Sequence, residues 1–309
     1  MTVSIVIPAY NEAEHIAANL EKIYACVREI PIVWEFVVVD DGSADETFEA
    51  VKGARLPSLR AIRLSRNFGK ESALSAGLAE ATGDACIVMD SDLQHPPELI
   101  PEMLRLWAQE KYEVVEAVKE NRGKESTAHR AAARLFYRIF DRASGLELEN
   151  ASDFKLLDRK VVEAWKTMTE HATFFRGMSS WVGFRRVQIP FSVQDRAGGE
   201  TKWNFGRLCK LAVNAVTSFS ALPLQLVTGA GVLFLIVAVI LGIETLVMKI
   251  LGHAFTGFTT VILLLLIIGS LLMLSLGVIG TYIAKIYDEV KARPRYLVAE
   301  RIITERGEE

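Results

Sequence analysis

Two long apolar stretches limit what this chain can fold into more than any other feature. From about Leu222 to Met248 the sequence LPLQLVTGAGVLFLIVAVILGIETLVM carries one charge, Glu244, and from Ala254 to Ala284 there is none. A helix rising about 1.5 Å per residue needs roughly 20 apolar residues to cross a hydrocarbon core, and each run exceeds that. Two transmembrane helices are therefore expected, over about 222–248 and 258–284. Their link, KILGHAFTG (Lys249–Gly257), is short, so they form a hairpin with both flanks on one side of the membrane. Arg207 and Lys210 precede the first span and Lys285, Lys291, Arg293 and Arg295 follow the second, against Lys249 in the link. The positive-inside bias then puts the long N-terminal part and both termini in the cytoplasm, as expected of a multi-pass protein of the inner (cytoplasmic) membrane.

The start, MTVSIVIPAYNE, has no basic leader before its short apolar run, so no signal peptide is expected. Cys26, Cys86 and Cys209 lie far apart without metal-type spacing, as in a reducing compartment. A net charge of −3 argues against a general nucleic-acid binder, and no nucleic-acid partner is expected. Basic residues instead crowd positions 119 to 142 and the membrane borders, where anionic head groups lie.

Ahead of the spans, short β-branched runs alternate with helical patterns. VSIVIPAY is followed by apolar residues at Ile16, Leu20, Ile23 and Val27, a helical period. WEFVVVDDGSADETFEAV, LRAIRLSRNFGKESALSAGLAEATG and DACIVMDSD repeat the scheme. Alternation of this kind implies a largely parallel sheet with helices on both faces, and ligands bind such sheets at the carboxyl ends of the strands. PAYNE, DDGS and DSD all fall at those ends.

The last of these, in VMDSDLQHPPEL, places Asp90 and Asp92 one residue apart. On an extended backbone such side chains point the same way, and two carboxylates aimed at one spot repel unless a cation lies between them. A divalent metal is therefore expected. His95, beside two prolines, reads as a turn residue rather than a ligand. Asp41 and Ser43 could cap a helix beginning near Asp45 or contact ligand. No GxGxxG follows the first strand and neither GKES has the P-loop pattern, so a nucleotide here would be held by carboxylates and a metal. VKENRGKESTAHRAAARLFYRIFDRASG reads as a basic loop and an amphipathic helix with Arg130, Arg134 and Arg138 on one face. An interfacial helix over 204–221 would bury Phe205, Leu208, Leu211 and Val216 at the lipid boundary.

VSIVIPAYNE, VVVDDGSADET, SRNFGKESALSAGL, MDSDLQHPPELI, SDFKLLDR, RAGGETKW and YIAKIYDEVKARPRYLV together resemble glycosyltransferase family 2, in its polyprenyl-phosphate glycosyltransferase branch. That branch includes bacterial polyprenyl-phosphate glucosyltransferases and dolichol-phosphate mannose synthases. The resemblance implies a cytoplasmic GT-A nucleotide-sugar-binding domain over 1–203, with a mainly parallel α/β sheet, then the interfacial helix, the two-helix hairpin of 222–284 and a cytoplasmic tail over 285–309. It implies Mg²⁺ or Mn²⁺ at Asp92 and Gln94, and nucleotide-sugar contacts at Pro8, Tyr10, Glu12, Asp40, Lys70, Asp90 and Ser91. A metal held by one or two carboxylates plus phosphate oxygens neutralises a leaving nucleoside diphosphate.

The implied acceptor is a polyprenyl phosphate, with Lys119, Arg130, Arg196, Thr201 and Lys202 matching positions that hold its phosphate. Arg suits bidentate contacts of this kind. EAVK stands where a YGVR-like stretch is usual, so Lys119 replaces an arginine and Glu116 adds a negative charge nearby. Asp92 and Asp153 are the implied catalytic residues. The counterpart of Asp153 is often called a base, but a phosphate monoester with a second pKa of about 6 is mostly dianionic at neutral pH and need lose no proton. Positioning of the sugar or nucleophile is then the larger role expected of Asp153.

The implied reaction is inverting hexosyl transfer, most simply of glucose from UDP-glucose to undecaprenyl phosphate. The product would serve as a lipid-linked donor for envelope glycan or lipid modification, with mannose, N-acetylhexosamine or a modified pentose as alternative sugars. A processive polysaccharide synthase is disfavoured by the missing QxxRW motif. A catalytically silent nucleotide-sugar-binding scaffold would have no need of Asp90, Asp92, Gln94, Arg196 and Lys202 together. A flippase and a downstream membrane glycosyltransferase are partners implied by the family. Gly229, Gly231, Gly277 and Gly280 would let membrane helices approach closely, compatible with a homo-oligomer.

Overall fold

The computed structural model describes residues 1–119, 151–168, 170, 175–191, 222–251 and 257–305. They fall into two compact units. One holds the described residues up to Phe191 together with 293–305, and the other holds 222–251 and 257–292.

Strands and helices alternate through the first unit as the sequence predicts. β1 (Thr2–Ala9), α1 (Ile16–Val27), β2 (Val33–Asp40), α2 (Thr47–Gly53), β3 (Ser58–Leu64), α3 (Lys70–Glu80) and β4 (Ala85–Val88) come first. A 3-10 turn over Pro97–Leu99 leads into α4 (Ile100–Ala108), β5 (Val114–Lys119), β6 (Ala151–Asp158), α5 (Arg159–Thr167), α6 (Phe175–Trp181) and β7 (Arg186–Phe191). The strands, with β8 (Val298–Glu305), form one sheet in the order β7-β5-β6-β4-β1-β2-β3-β8. β3, β2, β1 and β4 pair in parallel, so their carboxyl ends share one rim. β6 runs antiparallel between β4 and β5, and β7 lies parallel to β5.

Strands covered on both faces need continuous apolar runs rather than alternation. Ile5, Val6 and Ile7 of β1 and Phe36, Val37 and Val39 of β2 are accordingly all fully buried. Each such side chain contributes about 1.5–3 kcal/mol. α1 covers one face with Ile16, Leu20, Ile23 and Val27, the four residues its period picks out. α3 lies closer still to the sheet, because a Cβ on Gly77 would fall 2.4 Å from Val6 Cγ1. That approach sets Lys70, the first residue of α3, at the rim.

Residues 285–309, set apart in the sequence as a tail, contain the edge strand β8, antiparallel to β3 from Ser58↔Glu305 to Leu64↔Val298. Glu300, Arg301 and Glu305 obscure its strand pattern, and charges of this kind are what exposed sheet edges carry.

The second unit contains α7 (Leu222–Ile250) and α8 (Phe258–Val290), both long and apolar enough to cross a membrane. They start where the hydropathy predicts and run beyond its ends. Lys285, Tyr287, Asp288 and Glu289 interrupt the apolar run, but the helical backbone continues through them, since hydropathy and helix propensity are different properties. The interfacial helix expected over 204–221 and the basic helix carrying Arg130, Arg134 and Arg138 lie outside the described residues.

Candidate active site

The rim of the parallel strands is built from two interlocked loops. Pro8 is buried in β1 opposite Val39, and the chain leaves the strand through exposed Tyr10 and partly buried Glu12. Asn11 adopts φ 53° and is held there by its side-chain oxygen, which accepts from Ala44 N at 3.0 Å, and by its own N–H, which donates to Ser43 Oγ at 2.9 Å. At the end of β2, Asp40 Oδ1 accepts from Ser43 N at 2.9 Å and from the Ser43 hydroxyl. Its Oδ2 is buried without a hydrogen-bond partner, with Arg63 Nε 3.5 Å away. A buried acceptor in that state is costly until a donor arrives, so it suits a ligand N–H or O–H.

Asp41 and Ser43 do not cap α2, which begins at Thr47. The Asp41 carboxylate instead accepts from Phe68 N and Gly69 N, both at 2.8 Å, and the Ser43 hydroxyl joins Asp40 to Asn11. Gly42 between them has φ +66°, and a Cβ there would lie 2.4 Å from the Arg66 carbonyl carbon. DDGS and RNFGK are thus two halves of one contact, and it delivers Lys70 to the rim.

Lys70 bridges two carboxylates. Its Nζ lies 2.5 Å from Asp90 Oδ1 and 2.6 Å from Asp153 Oδ2. Burial opposes the ammonium charge, but the two carboxylates outweigh it and raise its pKa. Asp153, on β6, is buried and also takes a fork from Arg176, with Nε at 2.7 Å from Oδ1 and Nη2 at 2.9 Å from Oδ2. Burial alone would raise its pKa, yet the Arg176 and Lys70 cations hold the carboxyl far below the ordinary carboxylate range. Asp153 is a permanently ionised anchor for two cations. Next to Lys70, Glu71 is pushed up to about 7, chiefly by burial, while its Oε2 accepts from Phe175 N at 2.8 Å.

Pairing of β4 ends at Val88, so Asp90 and Asp92 lie in a turn, with Leu93 at φ 57°. The period-two argument that aimed both carboxylates at one ion does not apply there. Asp90 is committed to Lys70, whereas Asp92 is exposed and pairs with no cation among the described residues, its Oδ1 accepting from Gln94 N at 3.0 Å. Burial, and then the charge of Asp92, raise the pKa of Glu12.

A family model for glycosyl transferase family 2 matches residues 4–165. The chain belongs to glycosyl transferase family 2. It is 39% identical over 308 residues to an uncharacterized glycosyltransferase of Synechocystis, covering 96% of this chain and 94% of that one. To the bactoprenol glucosyl transferase of Shigella phage SfX it is 35% identical over 312 residues, covering 97% of this chain and all 100% of the other. A solved mycobacterial protein is similar in fold at TM-score 0.50 and 20% identity, covering 70% of this chain and 72% of that one. The first unit has a GT-A-like α/β fold, and this family 2 protein is a glycosyltransferase.

Within the family 2 match, the structure brings Lys70, Asp90 and Asp153 into one cluster, with Asp40, Ser91, Asp92 and Gln94 at the same strand ends. Ser91 is buried, and its carbonyl accepts from Asn19 Nδ2 at 2.9 Å. Lys119 ends β5 opposite Phe191. Arg130, Arg196, Thr201 and Lys202 lie outside the described residues. Glu116 is not a loose charge beside the acceptor loop. It is buried against Lys155 of the SDFKLL motif, Oε1 to Nζ 2.8 Å, and the ammonium sits 5.6 Å over the Phe175 ring.

His95 is more than a turn residue. It is buried, stacked on Phe154 at 5.3 Å, and its Nδ1 accepts from the Asp90 amide at 3.2 Å, so it shapes the turn that carries Asp90. Arg176 is the residue the sequence reading missed. Its signal was an arginine directly after Phe175 in FFRG, beyond the stretch the family model matches, with nothing local to tie it to Asp153.

Proposed function

We propose that this glycosyltransferase moves a glucosyl residue from UDP-glucose to a polyprenyl phosphate, most simply undecaprenyl phosphate, with inversion, at the cytoplasmic face of the membrane. Near-full-length similarity to a bactoprenol glucosyl transferase supports the sugar and the acceptor class. The observation that carries the reading is Asp153. It is the buried carboxylate of the cluster, and Lys70 and Arg176 hold it ionised, too weakly basic to take a proton from a hydroxyl. A phosphate acceptor, already dianionic, requires no such step.

The residues divide the work accordingly. Asp40 offers its Oδ2, which faces Arg63 but accepts no hydrogen bond, to a base N–H or ribose hydroxyl, with Pro8, Tyr10 and Glu12 forming the wall of that subsite. Asp90, held by Lys70 and by the His95-supported turn, faces the sugar. Lys70 and Arg176 supply fixed positive charge where the anionic donor and acceptor meet. Lys119, Arg130, Arg196, Thr201 and Lys202 are the proposed acceptor-phosphate ligands.

A divalent ion fits the donor set. Among the described residues no three His, Cys, Asp or Glu side chains form a cage. Asp92, exposed and paired with no cation among the described residues, and Gln94 offer hard oxygen donors, which suit a Mg²⁺ or Mn²⁺ ion completed by diphosphate oxygens. When bound, such an ion neutralises charge on the leaving diphosphate. The two apolar helices would hold the enzyme beside its lipid acceptor, with both termini cytoplasmic. The glycolipid would then pass to a flippase and a membrane transferase outside.

The test is purified full-length protein with undecaprenyl phosphate, Mg²⁺ or Mn²⁺, and UDP-glucose, UDP-N-acetylglucosamine or GDP-mannose, with lipid-linked product followed by mass. A hexosyl product from UDP-glucose that is lost on chelation and in Asp92→Ala is expected. Product from another donor alone would reassign the sugar, and donor binding without product from any would overturn the enzymatic reading.

A further inference from the structure

Two adjacent residues of α3 engage two adjacent residues at the start of α6. Lys70 shares the Asp153 carboxylate with Arg176, and Glu71 Oε2 accepts from Phe175 N at 2.8 Å. Phe175 is the first residue of α6, so its N–H has no carbonyl partner within the helix, and the residue is fully buried. An amide so placed costs free energy until an acceptor reaches it, and Glu71 is that acceptor. One carboxyl oxygen can accept whether or not the other carries a proton. The Phe175 ring is held as well, edge-on to Trp165 at 5.3 Å and with the Lys155 ammonium 5.6 Å from its centroid. Arg176 is different. Its side chain is 42% exposed, so surrounding packing does not by itself fix the guanidinium on Asp153. Holding a long, rotamer-rich side chain in one geometry costs conformational entropy, and an anchored backbone lessens that cost. Phe175 is the anchored point next to Arg176, and Glu71 ties it to α3.

We propose that Glu71 is a positioning residue: by accepting from Phe175 N it fixes the backbone that presents Arg176 to Asp153. It acts through Arg176 rather than on substrate. The first GKES thus serves Asp153 twice, its lysine pairing with the carboxylate and its glutamate placing the second cation. The effect of Glu71 on turnover rests on the proposed reaction, whereas its hold on Arg176 does not.

The experiment is a double-mutant cycle in the full-length protein. Glu71→Leu removes the acceptor and keeps apolar bulk, and Glu71→Gln keeps an acceptor. With UDP-glucose, undecaprenyl phosphate and Mn²⁺, Glu71→Leu is expected to lower kcat roughly tenfold while KM for UDP-glucose stays within about twofold of wild type. Glu71→Gln should restore most of the rate. In an Arg176→Ala background Glu71→Leu should cost little more, because residues that act as a unit are not additive. A residue that only supports folding would lower the rate alike in both backgrounds. Thermal unfolding of wild type, the two single variants and the double variant runs the same cycle without turnover, and the double variant should lose less Tm than the two single losses summed. Should Glu71→Leu fail to fold, Glu71→Ala takes its place in both cycles. No product from wild type together with a coupled Tm cycle would sink the proposed reaction and leave the hold on Arg176 standing. The inference is overturned if the Tm losses add, if Glu71→Leu turns over like wild type, or if its loss of rate is the same with and without Arg176.

Discussion

Asp153 decides between two chemistries with the same substrates. A base must be able to take a proton near neutral pH, and a carboxylate bonded to both Lys70 and Arg176 cannot. Asp153→Asn should lower kcat at least about 100-fold by removing the charge that draws Lys70 and Arg176 together. On the proposed reaction, the acidic limb of the pH–rate profile should persist in the variant, because a phosphate acceptor, with a second pKa of about 6, sets it. A limb that vanishes with the carboxylate would make Asp153 the base. Glu71 gives a pH signature of its own. Its carboxyl is raised from 4.5 to about 7 by burial, so the folded state holds the proton more tightly than the unfolded state. The stability this adds is complete below pH 4.5 and is lost as pH rises through 7. Glu71→Gln keeps an acceptor for Phe175 N and should unfold at higher temperature than wild type at pH 8. The difference, on the order of 3 kcal/mol, should shrink toward zero near pH 4. The carboxylates of the strand ends were legible in the sequence because they end apolar runs. Arg176 was not, since nothing local in FFRG ties it to a strand 23 residues earlier.

At the level of elements, legibility followed periodicity. The buried face of α1 and the continuous apolar runs of β1 and β2 were open to reading because burial there repeats with the backbone. The DDGS turn was located correctly but its wiring was not. Asp41 and Ser43 are good capping residues, yet the amides of Phe68 and Gly69 and the turn at Asn11 claim them through non-local contacts. Gly42→Ala tests that wiring, since it combines a left-handed backbone with a clash against Arg66. It should destabilise the protein by about 2 kcal/mol or more and weaken UDP binding, read by thermal unfolding and calorimetry. β8 escaped the sequence reading for the opposite reason, because its charges suit an edge and dilute the strand pattern.

For the whole molecule, hydropathy gave the two apolar helices their starting residues, while the return of the chain from α8 to an edge strand of the first unit was invisible to it. A GT-A-like sheet joined to two membrane-length helices suits the proposed reaction, in which a soluble donor meets a lipid acceptor. The central claim is that the site serves an acceptor already carrying its own negative charge. The direct measurement supplies UDP-glucose and divalent metal with either a polyprenyl phosphate or the corresponding polyprenol, and follows glucosylated lipid by mass. Product from the phosphate and none from the alcohol is predicted. Glucosylation of the alcohol at a comparable rate would mean that a base is at work and that Asp153 has been misread.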